Sequence, residues 1–317
     1  MGALAGIFPV LCTPFDERGA VDWKSLDRLV DWTLARGGDG LALGGIASEV
    51  MKLDDEERRT LVARVLRRVG RAGVRGGPVP VWVGTGHQAS VPALAHARHA
   101  QEHGAAGVMV MPPYVNKPSL GALHGFFGDL DGALSIPIMV QDAPLASGLA
   151  LPVDWLVTVA RDFRRVRAVK VEAPPTATKM ADLAAAARAK RTKLALFGGL
   201  GGANFVGELR RGAAGTLPGT AFPEVYVKID AAWRKGDEAA AQAEHDRALP
   251  LIRFVSQSVE WSWHAYKRIL VRRGVLASAH VRRPTCRFDD VAQRELDALC
   301  DAAGIAKARS RRTERRK

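Results

Sequence analysis

Cysteine is scarce in this sequence. Its 317 residues hold three, Cys12, Cys286 and Cys300, too few and too scattered for a disulfide framework. No CxxC pair and no Cys/His cluster occurs, which argues against a structural zinc site, so no metal is expected. Long hydrophobic runs are also missing. None approaches the roughly 18 residues that a membrane span needs, so no membrane association is expected. The opening MGALAGIFPVLCTPF has no basic leader and runs directly into a strand pattern. A signal peptide is therefore not expected, and a cytoplasmic location is. Acidic residues fall short of basic ones, 33 against 46, for a formal net charge of +13. Nucleic-acid binding is nevertheless not expected. Much of the excess lies in the tail from Lys307 to Lys317 and in patches such as Arg67, Arg68, Arg71 and Arg75, without interleaved aromatics. Steering of an anionic substrate is the better use for such charge.

Hydrophobic residues are plentiful, at 47%, with 25% charged, so a large core is possible. Eight short apolar runs alternate with amphipathic segments. The runs are Gly6–Thr13, Gly40–Gly44, Val79–Gly84, Gly107–Met111, Ile136–Val140, Val166–Val171, Leu194–Phe197 and Ala214–Leu217. Helical patterns lie between them, for example at Trp23–Arg36, Ser90–His103 and Thr176–Ala189. Near-continuous apolar strands imply burial on both faces. Eight strand–helix units predict an α/β fold, a closed (β/α)8 TIM barrel. Four further helical patterns follow Pro218, more than the one needed to complete the eighth unit. The expected organisation is a barrel over 1–225, a C-terminal helical extension over 226–306 and a basic, disordered tail over 307–317.

Barrel active sites lie at the C-terminal ends of the strands. There Lys170 is the outlier, a lysine inside the apolar run Val166–Val171. Such a residue is costly without a partner or a function, and an apolar setting favours the neutral amine that attacks carbonyls. Glu172 stands two residues on, so both side chains share one strand face. A carboxylate beside a Schiff-base nitrogen can move protons; a buried structural ion pair is the competing reading. The small loop Gly44–Glu49 offers backbone N–H groups and the Ser48 hydroxyl to a substrate carboxylate. Gly198 and Gly199, ending strand seven, permit close approach of backbone. Trp261, Trp263 and Tyr266 share a helical pattern and are expected to be core of the extension, with one of them free to cap the barrel mouth.

The segments GIFPVLCTPFDERGAVD, LGGIASEVMKLDDEER, GAAGVMVMPPYVNKPS, IPIMVQDAP and VRAVKVEAP, in this order, resemble the dihydrodipicolinate synthase/N-acetylneuraminate lyase superfamily. The likeness runs from about Gly6 to Pro284. It implies a (β/α)8 barrel with a helical extension, a homotetramer or homodimer, and Lys170 as the Schiff-base lysine. Departures are informative. Ile46 and Ala47 replace two threonines, and Ser48 replaces a glycine. Gln141 stands where a proton-relaying tyrosine ends the fifth strand, and Val115 follows Tyr114 in place of a second tyrosine. Glutamine cannot act as acid or base. Ser48-Glu49, Ile136–Pro144 and Lys170–Pro174 are similar to a subgroup of 2-keto-3-deoxy sugar acid dehydratases. The resemblance therefore implies a lyase acting on a small 2-keto acid, with Lys170 and Glu172 catalytic. Ala47, Ser48, Glu49, Tyr114, Gln141, Gly198 and Gly199 would bind substrate. The implied reaction is dehydration of an acid such as 2-keto-3-deoxy-L-arabonate to 2-oxoglutarate semialdehyde, without a diffusible cofactor. A pyruvate-releasing aldolase, a hydroxypyrroline-carboxylate deaminase and a non-catalytic binding barrel are the rival readings.

Overall fold

The computed structural model describes residues 4–72 and 78–308. The chain runs β1 (Gly6–Ile7), α1 (Trp23–Leu34), β2 (Leu41–Leu43), α2 (Asp55–Ala72), β3 (Val81–Gly84), α3 (Ser90–Glu102), β4 (Gly107–Val110), α4 (Leu120–Ala133), β5 (Ile138–Asp142), α5 (Pro144–Ser147), α6 (Val153–Asp162) and β6 (Val166–Val171). It continues α7 (Thr176–Ala189), β7 (Ala195–Gly198), α8 (Phe205–Leu209), β8 (Gly215–Thr216), α9 (Pro223–Arg234), α10 (Glu238–Val255), α11 (Val259–Arg272) and α12 (Asp290–Ala302).

All eight strands are parallel, in the order β1-β8-β7-β6-β5-β4-β3-β2. Val10 closes the ring by bridging to Ala42 on one side and Gly219 on the other. The ladder hydrogen bonds Leu11 N to Ala42 O (2.8 Å) and Val10 N to Pro218 O (2.7 Å) complete the seam. The expected eight-stranded barrel is thus the observed one. The first strand is shorter than its apolar run, because Pro9 lacks an N–H and interrupts the ladder.

Two apolar layers follow from the strand alternation. Inward-facing Phe8, Val10, Ala42, Trp82, Met109, Met139, Ala168, Phe197 and Leu217 fill the barrel. The outward-facing residues join the helices in a second, larger core that also takes in Leu251, Ile252 and Leu270 of the extension. The expected division at residues 225 and 226 falls inside α9, which packs Val225, Tyr226 and Ile229 onto the barrel and completes the eighth unit. The extension beyond it is α10 to α12. Three of its helices open on side-chain caps, Asp237 for α10, Ser258 for α11 and Asp289 for α12, which satisfy backbone N–H groups otherwise left without partners. Of the expected tail, residues 309–317 lie outside the described residues. Among the described residues, no helix is long and apolar enough to cross a membrane.

Candidate active site

Strand β6 ends at the barrel mouth, and its alternation turns Lys170 and Glu172 to the same side. Lys170 Nζ lies 3.1 Å from Glu172 Oε1. The same oxygen accepts a hydrogen bond from Leu200 N (3.1 Å), in the loop after β7. The other carboxylate oxygen accepts from Gln141 Nε2 (2.8 Å), on the adjacent strand β5. All three side chains are buried. They converge because β5 and β6 pair in register with Gln141 opposite Lys170. The amine, the carboxylate and the carboxamide line a cavity of about 400 Å³. Ala47 lines it too, as do Leu145 and Ala146 from α5.

Space beneath the carboxylate is provided by glycine. A Cβ on Gly199 would lie 2.4 Å from Glu172 Cγ and Oε1, and one on Gly198 would lie 1.9 Å from Glu208 Oε2. These two glycines do not line the cavity; they let two carboxyl side chains pack against the end of β7. Glu208 is fully buried and accepts from Thr176 Oγ1 at 2.7 Å. Burial pushes its carboxyl up to about 7, against the Thr176 hydrogen bond, and the nearby Glu172 charge adds to the rise.

The loop after β2 departs from its expected role. Ser48 Oγ accepts from Gly44 N (3.0 Å) and donates to Leu11 O (2.6 Å), and Thr13 Oγ1 donates to Ser48 O. The hydroxyl expected to hold a carboxylate is therefore turned inward and committed to the loop itself. Glu49 likewise does not line the cavity. It adopts a left-handed backbone conformation, φ 55°, and its carboxylate pairs with Lys267 and Lys52. Neither Glu49 nor Lys267 is exposed. Lys267 Nζ also donates to His280 O and lies over the Phe15 ring. Trp263 Nε1 donates to Ile46 O (2.9 Å). The short loop is thus anchored to α11.

Tyr114 lies in an adjoining cavity of about 250 Å³, which shares Gly45, Ile46, Met109 and Gln141 with the first. Arg58, His87 and Asp55 line it as well. Burial brings the Arg58 guanidinium down to about 10 and holds His87 below its ordinary value, helped by the charge of Arg58.

Tyr266 was expected in the core of the extension. It is buried in that core, and α11 also carries it across the barrel mouth, where it lines the Lys170 cavity with Ser256 and Gly219. A Cβ on Gly219 would lie 2.3 Å from Tyr266 Cζ, so only glycine admits the ring there. The helical pattern allowed one of Trp261, Trp263 and Tyr266 to cap the mouth without saying which, because helix periodicity reports which face is buried and not what that face is buried against.

A closed barrel with an amine, a carboxylate and a carboxamide gathered at its mouth defines a barrel enzyme of the lysine–carboxylate kind. The chain belongs to the Dihydrodipicolinate synthetase family, whose pattern matches residues 3–303. It is 34% identical to the L-2-keto-3-deoxyarabonate dehydratase of Azospirillum brasilense over 93% of each chain. It is 29% identical to the 4-hydroxy-tetrahydrodipicolinate synthase of Bartonella quintana (strain Toulouse), covering 96% of this chain and 99% of that one. Dihydrodipicolinate synthase from Rhodopseudomonas palustris superposes with a TM-score of 0.86 at 28% identity, covering 94% and 97%. A prophage protein of the dihydrodipicolinic acid synthase family from E. coli K12, solved in complex with pyruvate, superposes with a TM-score of 0.88 at 25% identity over 96% and 100%. The chain is a lyase of this superfamily.

Proposed function

We propose that the protein is a Schiff-base hydro-lyase that dehydrates a 2-keto-3-deoxy sugar acid, with 2-keto-3-deoxy-L-arabonate the leading substrate and 2-oxoglutarate semialdehyde the product. The observation that carries the proposal is the placement of Lys170, Glu172 and Gln141 on one cavity wall, with no tyrosine at the end of β5. The likeness to the Azospirillum brasilense dehydratase supports the choice of substrate.

Lys170 attacks the C2 ketone, and loss of water forms an iminium ion. Glu172, 3.1 Å from that nitrogen before substrate enters, accepts protons during addition. The iminium acidifies C3, and Glu172 removes a C3 proton to leave an enamine. The nitrogen lone pair then re-forms the iminium and drives the enamine C2=C3 pair into a new C3=C4 bond, which expels the C4 hydroxyl; it departs as water once protonated. Tautomerisation moves the new double bond onto the C5 hydroxyl carbon and gives the aldehyde. Hydrolysis of the iminium frees Lys170. Gln141 cannot exchange protons; its amide holds Glu172 at the working angle. The substrate carbonyl itself becomes the electron sink, so the reaction calls for no dissociable cofactor or metal. We assign the protein a homotetrameric or homodimeric state on family likeness, with exposed Val115 and Met51 as apolar contact residues.

The test is borohydride trapping with 2-keto-3-deoxy-L-arabonate and, separately, pyruvate, with product analysis in parallel. An adduct on Lys170 with semialdehyde formation is expected. Pyruvate release from the sugar acid would move the protein to the aldolases. Glu172→Gln should form the adduct and lose turnover by about 10²–10⁴-fold; full turnover by that variant would remove Glu172 as the base.

A further inference from the structure

The proposed dehydration needs a proton donor for the departing hydroxyl as well as a base for C3. Glu172 is engaged by Lys170, Leu200 and Gln141, so a second group is wanted. Four hydroxyl side chains line the cavity, all from the helical extension: Ser256, Ser258, Ser262 and Tyr266. Two are committed to helix ends. Ser258 Oγ accepts from Trp261 N (3.2 Å), and Ser262 Oγ donates to Val259 O (2.6 Å). Ser256 Oγ is buried with no hydrogen-bond partner among the described residues. It stands beside Tyr266. A Cβ on Gly201 would lie 2.3 Å from Ser256 Oγ and 3.2 Å from Tyr266 Oη.

The same loop binds the base. Leu200 N holds Glu172, and the next residue, Gly201, lies under the two hydroxyls. Base and hydroxyl pair therefore meet on consecutive residues after β7. Burial pushes the Tyr266 phenol up to about 12. Ser256 and the Gly219 N–H work against that rise, and the Glu172 charge adds to it. At neutral pH the phenol holds its proton. Ser256 is close enough to act on the phenol, yet the two do not form a well-aligned hydrogen bond. An acceptor entering the cavity can take the phenolic hydrogen.

We propose that Tyr266, oriented by Ser256, donates the proton to the leaving C4 hydroxyl; the assignment rests on the dehydratase reading above. As the C4–O bond breaks, its electron pair stays on oxygen and takes the Tyr266 proton, so water departs. The C3 proton held by Glu172 then returns to the phenolate. One water is lost, and both residues are restored. Tyr266 thus supplies from α11 a phenol that β5 lacks, and its role is donation to oxygen. Ser256 is a positioning residue.

The experiment follows the full-length protein and its Tyr266→Phe and Ser256→Ala variants in D2O with 2-keto-3-deoxy-L-arabonate, by proton NMR. Borohydride trapping runs alongside. Tyr266→Phe should still form the Lys170 adduct and exchange C3 protons within about threefold of the unmutated rate, while semialdehyde formation falls by about 10²–10³-fold. Ser256→Ala should lower kcat about tenfold with little change in KM. A 4-deoxy-4-fluoro analogue loses fluoride without needing a proton, so Tyr266→Phe and the unmutated protein should process it within about tenfold of each other. The proposal is overturned by undiminished turnover in Tyr266→Phe, by loss of C3 exchange equal to loss of product, or by equal impairment on the fluoro analogue. Absence of any Lys170 adduct in the unmutated protein would instead overturn the dehydratase reading, and the assignment with it.

Discussion

Gly199→Ala should disable the protein while leaving it folded. The added methyl would lie 2.4 Å from both Cγ and Oε1 of Glu172, whereas ordinary contact begins at about 3.4 Å. Glu172 must therefore retreat by about 1 Å. Its Oε1 is the atom that meets Lys170 Nζ at 3.1 Å and Leu200 N at 3.1 Å, so both contacts lengthen past hydrogen-bonding range. A displacement of 1 Å at a reacting group costs about 10²-fold in rate, or about 2.7 kcal/mol of barrier. The overpacking itself costs about 1–3 kcal/mol of stability. Gly199 has a negative φ of −144°, so the added side chain brings no left-handed strain. The assay is kcat for semialdehyde formation, with borohydride trapping and thermal melting in parallel. The expected result is an intact melting transition, a Lys170 adduct that still forms, and turnover reduced about 100-fold. Gly199→Ala turning over at the unmutated rate would show that Glu172 is not fixed by this packing. Loss of the adduct together with the fold would show a structural role alone.

Lys267→Met should cost about 3–5 kcal/mol in urea unfolding, because it leaves the unexposed Glu49 carboxylate with Lys52 alone. The double variant Glu49→Leu/Lys267→Met should recover most of that loss, and a single-variant cost below about 1 kcal/mol would contradict a buried ion pair of this kind. Glu208 makes stability pH-dependent. Its folded pKa of about 7 exceeds the unfolded 4.5, so between these values the native state holds a proton that the unfolded state has released. Its contribution therefore declines as pH rises through that window, by about 3 kcal/mol in all, and is level above it. Glu208→Gln should flatten the unfolding free energy between pH 5 and 8; an unchanged slope there would place the titration elsewhere.

Strand number, strand direction and the Lys170–Glu172 pair were all legible from the sequence alone. Each depends on local alternation. A run buried on both faces is apolar throughout, so a lysine inside it stands out, and residues two apart on a strand share a side whatever surrounds them. Resemblance added Gln141, and the register of β5 against β6 then set its amide on Glu172. Ser48 and Glu49 show where sequence reasoning stops. Their residue types suit a substrate carboxylate, yet Ser48 is spent on Leu11 and Gly44, and Glu49 on lysines as distant as Lys267. Tyr266 shows the reverse. Nothing within its own helix separates it from a packing residue; only the return of α11 over the barrel mouth sets its phenol beside Gly201 and Gly219. The sequence by itself determined the barrel and the amine–carboxylate pair, because those follow from spacing along one strand. The tertiary structure alone decided which polar groups remain free to face the cavity, because that depends on partners many residues away competing for the same hydrogen bonds.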